Sequence, residues 1–314
     1  MAHRFANPDP RHRPHTVAAI LRWGVVDRLR GRRRQRAAGP PAPRAEPDRA
    51  LIHECSDRTR LTWIGHASFL ATLGGASVLI DPVFAGHAGL LYRRHDAPGL
   101  TPDDLPELAA VLVSHNHYDH FDGAALRRLP ADVPVVVPAG MGRAVRRLSR
   151  RTVVELDWWQ AVPLGPLEVT LVPARHWSRR HIFDTNRALW GGFVVRTGGA
   201  AVYHAGDTAA FDGFAEIGRR FPGLAAALLP VGGYDPAWFM EHYHLDPEQA
   251  GEAFLALGAR TMVPMHWGAF RLTDEPLGEP IERLWAWWDR YGPRDGRRLA
   301  VPAVGETIVL GGVP

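Results

Sequence analysis

The chain has 314 residues, 46% of them apolar, enough to bury one large core or two smaller ones. Its 32 glycines and 27 prolines favour strands and turns over a helical bundle. The single cysteine, Cys55, excludes an intramolecular disulfide and a cysteine-ligated zinc site, and fits a reducing cytoplasm. All 37 basic residues are arginines: positions 1–50 hold twelve against four acids, and positions 51–314 hold 25 against 29, a mildly acidic body that argues against a nucleic-acid partner.

Residues 1–50 therefore read as an Arg-rich arm before a body that spans 51–314. Residues 14–31 predict a short amphipathic helix, with Ala18, Leu21, Val25 and Leu29 on one side and Arg22 and Arg28 elsewhere. Arg30 to Arg36 and the Pro/Ala-rich stretch 38–47 read as a linker. Two roles are open to the arm: docking on an anionic membrane surface, or packing against the body. No apolar stretch approaches the roughly 18 residues that cross a membrane. Val17 to Val26 is broken by Arg22 and lacks a cleavage site after it, and Arg33-Arg34 precedes Gln35 and Arg36 rather than an apolar run. Neither a secretory nor a twin-arginine signal is expected.

From Leu61 onward, short β-rich runs alternate with turns. The predicted strands are 60–64, 67–73, 76–80, 109–113, 134–137, 152–155, 167–173, 191–196, 200–204, 226–230, 260–264 and 307–310. Helices are predicted at 123–129, 140–149, 210–220, 247–257 and 279–291. The last stacks Leu284, Trp285, Trp287 and Trp288, which read as core or groove packing. Strands interleaved with helices predict a layered α/β body.

The polar residues fall in a regular place. The apolar run 109–114 delivers His115-Asn116-His117-Tyr118-Asp119-His120; three further runs end at His176, Asp207 and His266. Four strands thus carry ligand-type side chains at their C-terminal ends, where a rigid scaffold fixes metal geometry. His115, His117 and His176 would hold one ion, Asp119, His120 and His266 a second, with Asp207 bridging them around a shared water. Such a water loses its proton near neutral pH and attacks, while the ions neutralise the charge on the substrate oxygens. Histidine and aspartate suit two zinc ions, and iron and manganese accept the same donors.

HNHYDH (115–120), the His after Val-Pro-Ala-Arg, Ala-Gly-Asp-Thr and Met-His-Trp-Gly together resemble the metallo-β-lactamase superfamily. WIGHASFL (63–70), DPVF (81–84), HWSRR (176–180), FDTNRALWGGF (183–193), LPVGGYDPAWFMEHYHLDPEQA (229–250) and MHWGAFRLTDEPLGEP (265–280) resemble its N-acyl-phosphatidylethanolamine-hydrolysing phospholipase D branch. The resemblance covers most of residues 61–280. It implies an αββα sandwich with two facing sheets, outer helices and a dinuclear zinc site on one edge. It also adds His244 beside the reacting phosphate, so that Asp119 and His244 are the candidate catalytic groups; a helix-start histidine beside the Asp246 cap is the bland reading of His244. His66 falls around the ligands or simply in the fold, Asp81 as a buttress to a ligand, and His204 as either a supporting group or an inward-facing strand residue. His3, His12, His15, His53, His87, His95, His181 and His242 receive no role.

The expected activity is hydrolysis of a phosphodiester by a metal-bound hydroxide, with an N-acylated phospholipid giving N-acylethanolamine and phosphatidate. The alternatives are a lactonase-type hydrolase of a small phosphorylated substrate, and a non-catalytic metal-binding protein at a membrane surface. The expected location is cytoplasmic, with peripheral contact at the inner membrane face an option. Oligomeric state stays open, a homodimer included.

Overall fold

A computed structural model describes residues 4–10, 12, 15–33, 39–89, 92–181 and 183–311. Two seven-stranded sheets face each other. The first runs Thr307–Val309, Arg60–Gly65, Ser68–Leu73, Ala76–Ile80, Ala110–Leu112, Val135–Pro138, Val153–Leu156. The second runs Arg298–Leu299, Thr261–Met265, Ala226–Pro230, Ala201–His204, Gly192–Arg196, Leu167–Val172, Ala161–Leu164. All twelve predicted strands are present, and the αββα sandwich is the fold observed.

The layering follows from how residues alternate. In the first sheet Val78, Ile80, Ala110, Leu112 and Val136 face the second sheet, joining Phe193, Val202 and Leu228 in one core. Their neighbours Leu79, Val111, Val135 and Val137 face outward onto Leu126 and Val145, which belong to the helices Gly123–Arg128 and Gly142–Leu148. Both faces of these strands are buried, so they read in sequence as unbroken apolar runs rather than alternating ones.

The helices Gly213–Arg220, Pro247–Leu257 and Glu279–Tyr291 complete the layer outside the second sheet. Asp246 starts the second of them, its side chain accepting from the Gln249 amide at 2.8 Å while the Gln249 side chain accepts from the Asp246 amide at 3.2 Å. Trp287 and Trp288 are buried in the third helix as core packing, whereas Trp285 is half exposed. Two strands escaped the sequence reading in these sheets. Ala161–Leu164 contains Pro163, tolerated because it is an edge strand with one partner. Arg298–Leu299 is only two residues long.

The arm departs most from expectation. Its helix runs through Val17–Leu21, a widened turn at Arg22–Val26, and Asp27–Leu29; the predicted start at residue 14 lies outside the described residues. The helix packs through Trp23, whose indole donates to Asp274 at 3.2 Å, with His15 stacked 3.5 Å from Phe239 just before it. Arg33 donates to the same carboxylate at 2.7 Å. The linker reading does not hold for residues 39–47. Ala45 donates to Val304 at 2.9 Å and Val304 to Pro43 at 2.7 Å, while Ala42 is buried against Gly268. A proline-rich segment is already extended, and two backbone bonds suffice to lay it along the body.

Gly251 faces Trp287 across two helices, and a Cβ there would sit 2.4 Å from the indole ring. Helix propensity alone predicts that Gly251→Ala gains up to about 1 kcal/mol. The steric clash predicts the opposite sign, a loss of about 1–3 kcal/mol, read as a lower denaturation midpoint. Burial, then His242, push the His15 imidazole down to about 4. A depressed histidine pKa stabilises the docked arm fully above the ordinary value of about 6.5, and that contribution fades as pH falls toward 4. Amide exchange within 17–29, corrected for intrinsic rates, should accelerate over that window.

Candidate metal centre

Strands from both sheets end at one edge, and the chain reverses sharply there. His66, Asp81 and His266 each follow a strand in left-handed backbone, with φ of 56°, 44° and 64°. Such conformations are costly for residues with a Cβ and persist where surrounding bonds hold them. Here the His66 carbonyl accepts from the Trp63 indole at 2.9 Å and from the His266 amide at 3.1 Å, tying the two sheets together.

The seven predicted ligands His115, His117, Asp119, His120, His176, Asp207 and His266 lie together at this edge. His115 Nε2 lies 2.9 Å from His117 Nδ1, which lies 3.2 Å from His176 Nε2. Asp207 Oδ2 is 3.7 Å from both His115 Nε2 and His176 Nε2. The same oxygen is 3.2 Å from His120 Nε2 and 3.3 Å from His266 Nε2. Asp119 Oδ2 completes a second group, 3.0 Å from His66, 3.4 Å from His266 and 3.7 Å from His120. Two four-membered clusters result, His115–His117–His176–Asp207 and His66–Asp119–His120–His266, with Asp207 against both, and a smaller third group joins Asp207, His244 and His266.

These residues fit a pair of cations. Donors about 2.0–2.1 Å from a tetrahedral zinc sit roughly 3.4 Å apart, and the separations within the first cluster bracket that figure. Buried His120 Nε2, His266 Nε2 and Asp207 Oδ1 have no hydrogen-bond partner among the described residues, a shortfall that buried polar groups show rarely unless an ion or water completes them. For three of the imidazoles, His176, His120 and His115, the opposite ring nitrogen is held. His176 Nδ1 donates to the Tyr243 carbonyl at 2.8 Å, and His120 Nδ1 to Asp81 Oδ2 at 2.7 Å. His115 Nδ1 meets Ser114 Oγ at 2.9 Å, and that hydroxyl donates to Asp81 Oδ2 at 2.6 Å. One carboxylate thereby orients two imidazoles, directly and through a serine that sequence reasoning passed over. Such outer bonds fix the tautomer and aim the free nitrogen inward.

The electrostatics match that donor set. Burial pushes His176 down to about 3 and His117 to about 4, and with the neighbouring His120 it holds His115 well below its ordinary value. These imidazoles are neutral, as ligands must be. Burial raises the Asp207 carboxyl, but His120 and His266 more than reverse this and keep it ionised; His120 with His266 and His66 does the same for Asp119. Against the burial that would lower it, Asp207 and Asp119 lift His266 to about 9.

His244 resolves toward the site. Asp246 caps the following helix, while His244 Nδ1 lies 4.0 Å from Asp207 Oδ2, with the ring 5.2 Å from that of His266. His204 instead satisfies both nitrogens with backbone, Nε2 with the Ala67 carbonyl at 2.9 Å and Nδ1 with the Gly206 amide at 3.1 Å. It is an inward-facing strand residue of the fold.

A cavity of about 1500 Å³ opens over the cluster, reaching His117, Asp119, Asp207, His244 and His266. Its walls include Trp177, Phe183, Phe239, Met240 and Leu272, and, from the arm, Ile20 and Trp23. His15, His87 and His181, given no part from sequence, also line it. Nothing local in the sequence marks the arm residues as pocket wall, since their partners lie more than 200 positions away.

Residues 76–267 match the model of the β-lactamase superfamily domain. The chain is 34% identical over 300 residues to an uncharacterised protein of Mycobacterium bovis, covering 92% of this chain and 77% of that one. It is 33% identical over 241 residues to N-acyl-phosphatidylethanolamine-hydrolyzing phospholipase D 1 of Caenorhabditis elegans, covering 71% and 68%. A metallo hydrolase structure from Ignicoccus hospitalis superposes with a TM-score of 0.61 at 24% identity, over 81% of this chain and 98% of that one, and shares the fold. From its fold, its His/Asp clusters and these relatives, the chain belongs to the metallo-β-lactamase superfamily of metal-dependent hydrolases and resembles its N-acyl-phosphatidylethanolamine-hydrolysing branch.

Proposed function

We propose that the protein hydrolyses the phosphodiester of an N-acylated ethanolamine phospholipid at two zinc ions. The cavity carries this reading. At about 1500 Å³ it exceeds the roughly 300–1,000 Å³ of ordinary small-molecule sites, and its apolar walls suit acyl chains better than a small phosphorylated lactone. Relatives named as N-acyl-phosphatidylethanolamine-hydrolysing phospholipases D in Caenorhabditis elegans and Saccharomyces cerevisiae support the substrate class. The complete set of ligand-type side chains weighs against a non-catalytic scaffold.

His115, His117 and His176 would hold one ion, Asp119, His120 and His266 the other, and Asp207 both. When bound, such ions polarise a phosphoryl oxygen and acidify water. The chain's own groups do the remainder. Apolar walls exclude bulk water and position the lipid. Asp81 and Ser114 hold the ligand rings. His244, pushed down to about 3 by burial, faces the cavity as a neutral imidazole able to orient the phosphoryl group through a ring N–H hydrogen bond. Hydrolysis adds water across the P–O bond on the ethanolamine side, giving N-acylethanolamine and phosphatidate.

The test joins metal analysis to turnover of N-acyl-phosphatidylethanolamine. The expected result is about two equivalents of zinc and release of N-acylethanolamine that Asp207→Ala abolishes. Full metal content without lipid turnover would overturn the lipid assignment. Asp81→Asn should lower metal affinity or activity by about 10–100-fold in a folded protein. His244→Ala should keep its metal and lose about 10²–10³-fold in kcat; wild-type kcat would remove His244 from the reaction.

A further inference from the structure

The arm helix is turned the unexpected way round. Val17, Leu21, Val25 and Leu29, spaced four apart, are 74%, 54%, 49% and 82% exposed. Ala18 of the predicted apolar face is exposed as well, so that face is presented to solvent, while Trp23 and the buried Asp27 lie on the packed side. Ordinary helices of globular proteins do the reverse, and a row of bare aliphatic side chains marks an interaction surface.

Two further observations say what covers it. Asp27 is the only acid between residues 15 and 33; it is buried beneath Arg22 and Arg32, which lie 3.5 and 3.8 Å from its carboxylate, and with Arg28 and Arg30 the exposed side of the segment is net positive. The guanidinium of Arg22 also lies 4.1 Å over the ring of Trp238, itself 38% exposed. Aliphatic side chains with an interfacial aromatic and flanking arginines are the composition of a helix that lies in an anionic lipid surface. The helix is also fixed in place, through Trp23 and Arg33 on Asp274, and its inner residues Ile20 and Trp23 are cavity wall.

We propose that the helix over residues 17–29 is an interfacial anchor that seats the cavity mouth on an anionic bilayer, its outer face in the lipid and its inner face guiding a chain toward the metal cluster. This rests on the lipid-hydrolase reading for its purpose but not for its test.

The test uses the full chain and substrate-free vesicles, phosphatidylcholine alone or mixed with phosphatidylglycerol, read by co-sedimentation. Wild-type protein should sediment with the anionic vesicles and much less with the neutral ones. L21D/V25D, on exposed positions outside the cavity wall, should weaken binding by at least about tenfold, with unchanged thermal denaturation and unchanged turnover of detergent-dispersed substrate. R28A/R30A should lose on the order of tenfold at low salt, a difference that shrinks as salt rises. No sedimentation of the wild type, or equal sedimentation of L21D/V25D, would overturn the proposal. A wild-type dimer split by L21D/V25D would assign the face to a second copy instead. Because binding is read without turnover, protein that binds vesicles yet hydrolyses no lipid would sink only the function proposed above.

Discussion

The structure is organised around one buried carboxylate. Asp207 Oδ2 lies within 4.0 Å of nitrogens on His115, His120, His176, His244 and His266, and its side chain is 2% exposed. An ionised carboxylate removed from water costs several kcal/mol unless positive charge or hydrogen bonds replace the lost hydration. Imidazolium on His120 and His266 supplies part of this; divalent cations would supply it more completely and release those protons. The surplus of donors with unpartnered nitrogens is therefore a site arranged around charge.

That demand governs the sandwich. The ligands and the groups around them come from both sheets: His66, Asp81 and residues 115–120 follow strands of the first, and His176, Asp207 and His266 follow strands of the second. A shift between the sheets would separate the two halves of the site. The spacing is set by the close-packed core between them, including Phe69, Phe193 and Tyr203, since face-to-face sheets hold a side-chain layer about 10 Å thick. The left-handed His66 and His266 are stabilised by the bond between their backbones, which crosses from sheet to sheet at the site itself. Strain at the edge and rigidity of the core are thus coupled.

This division explains what the sequence disclosed. Strands buried on both faces leave long apolar runs, so Ala110–Leu112, Ala226–Pro230 and Thr261–Met265 were readable, and the polar residues after the first and third marked the site edge. Asp81 was readable as a buttress only through the family resemblance that its DPVF segment helps to carry. Ser114 was not, because a serine after a strand carries no signal until its partner 33 positions earlier is known. Ala161–Leu164 and the cavity wall were hidden for a related reason. An edge strand with a proline looks like a loop, and a wall assembled from residues 20, 177, 239 and 272 has no period. Local chemistry is legible; long-range enclosure is not.

The arm shows where pattern and environment part company. Its periodicity correctly predicted a helix, and an apolar stripe ordinarily implies burial of that stripe. Here Trp23 and His15 on the other side made the stronger contacts, an indole on a buried carboxylate and an imidazole stacked on Phe239. Docking by these two aromatic groups leaves the aliphatic row outside, where water alone gives it no stabilisation. Fully burying one such side chain is worth about 1.5–3 kcal/mol, so four of them form a large unused driving force beside a cavity of the same chemical character. An apolar wall that continues outward onto an apolar, positively rimmed surface joins two environments suited to the same amphiphile. Periodicity records that a helix has an apolar face; only the placement of its polar anchors decides whether that face meets the core or something beyond the chain.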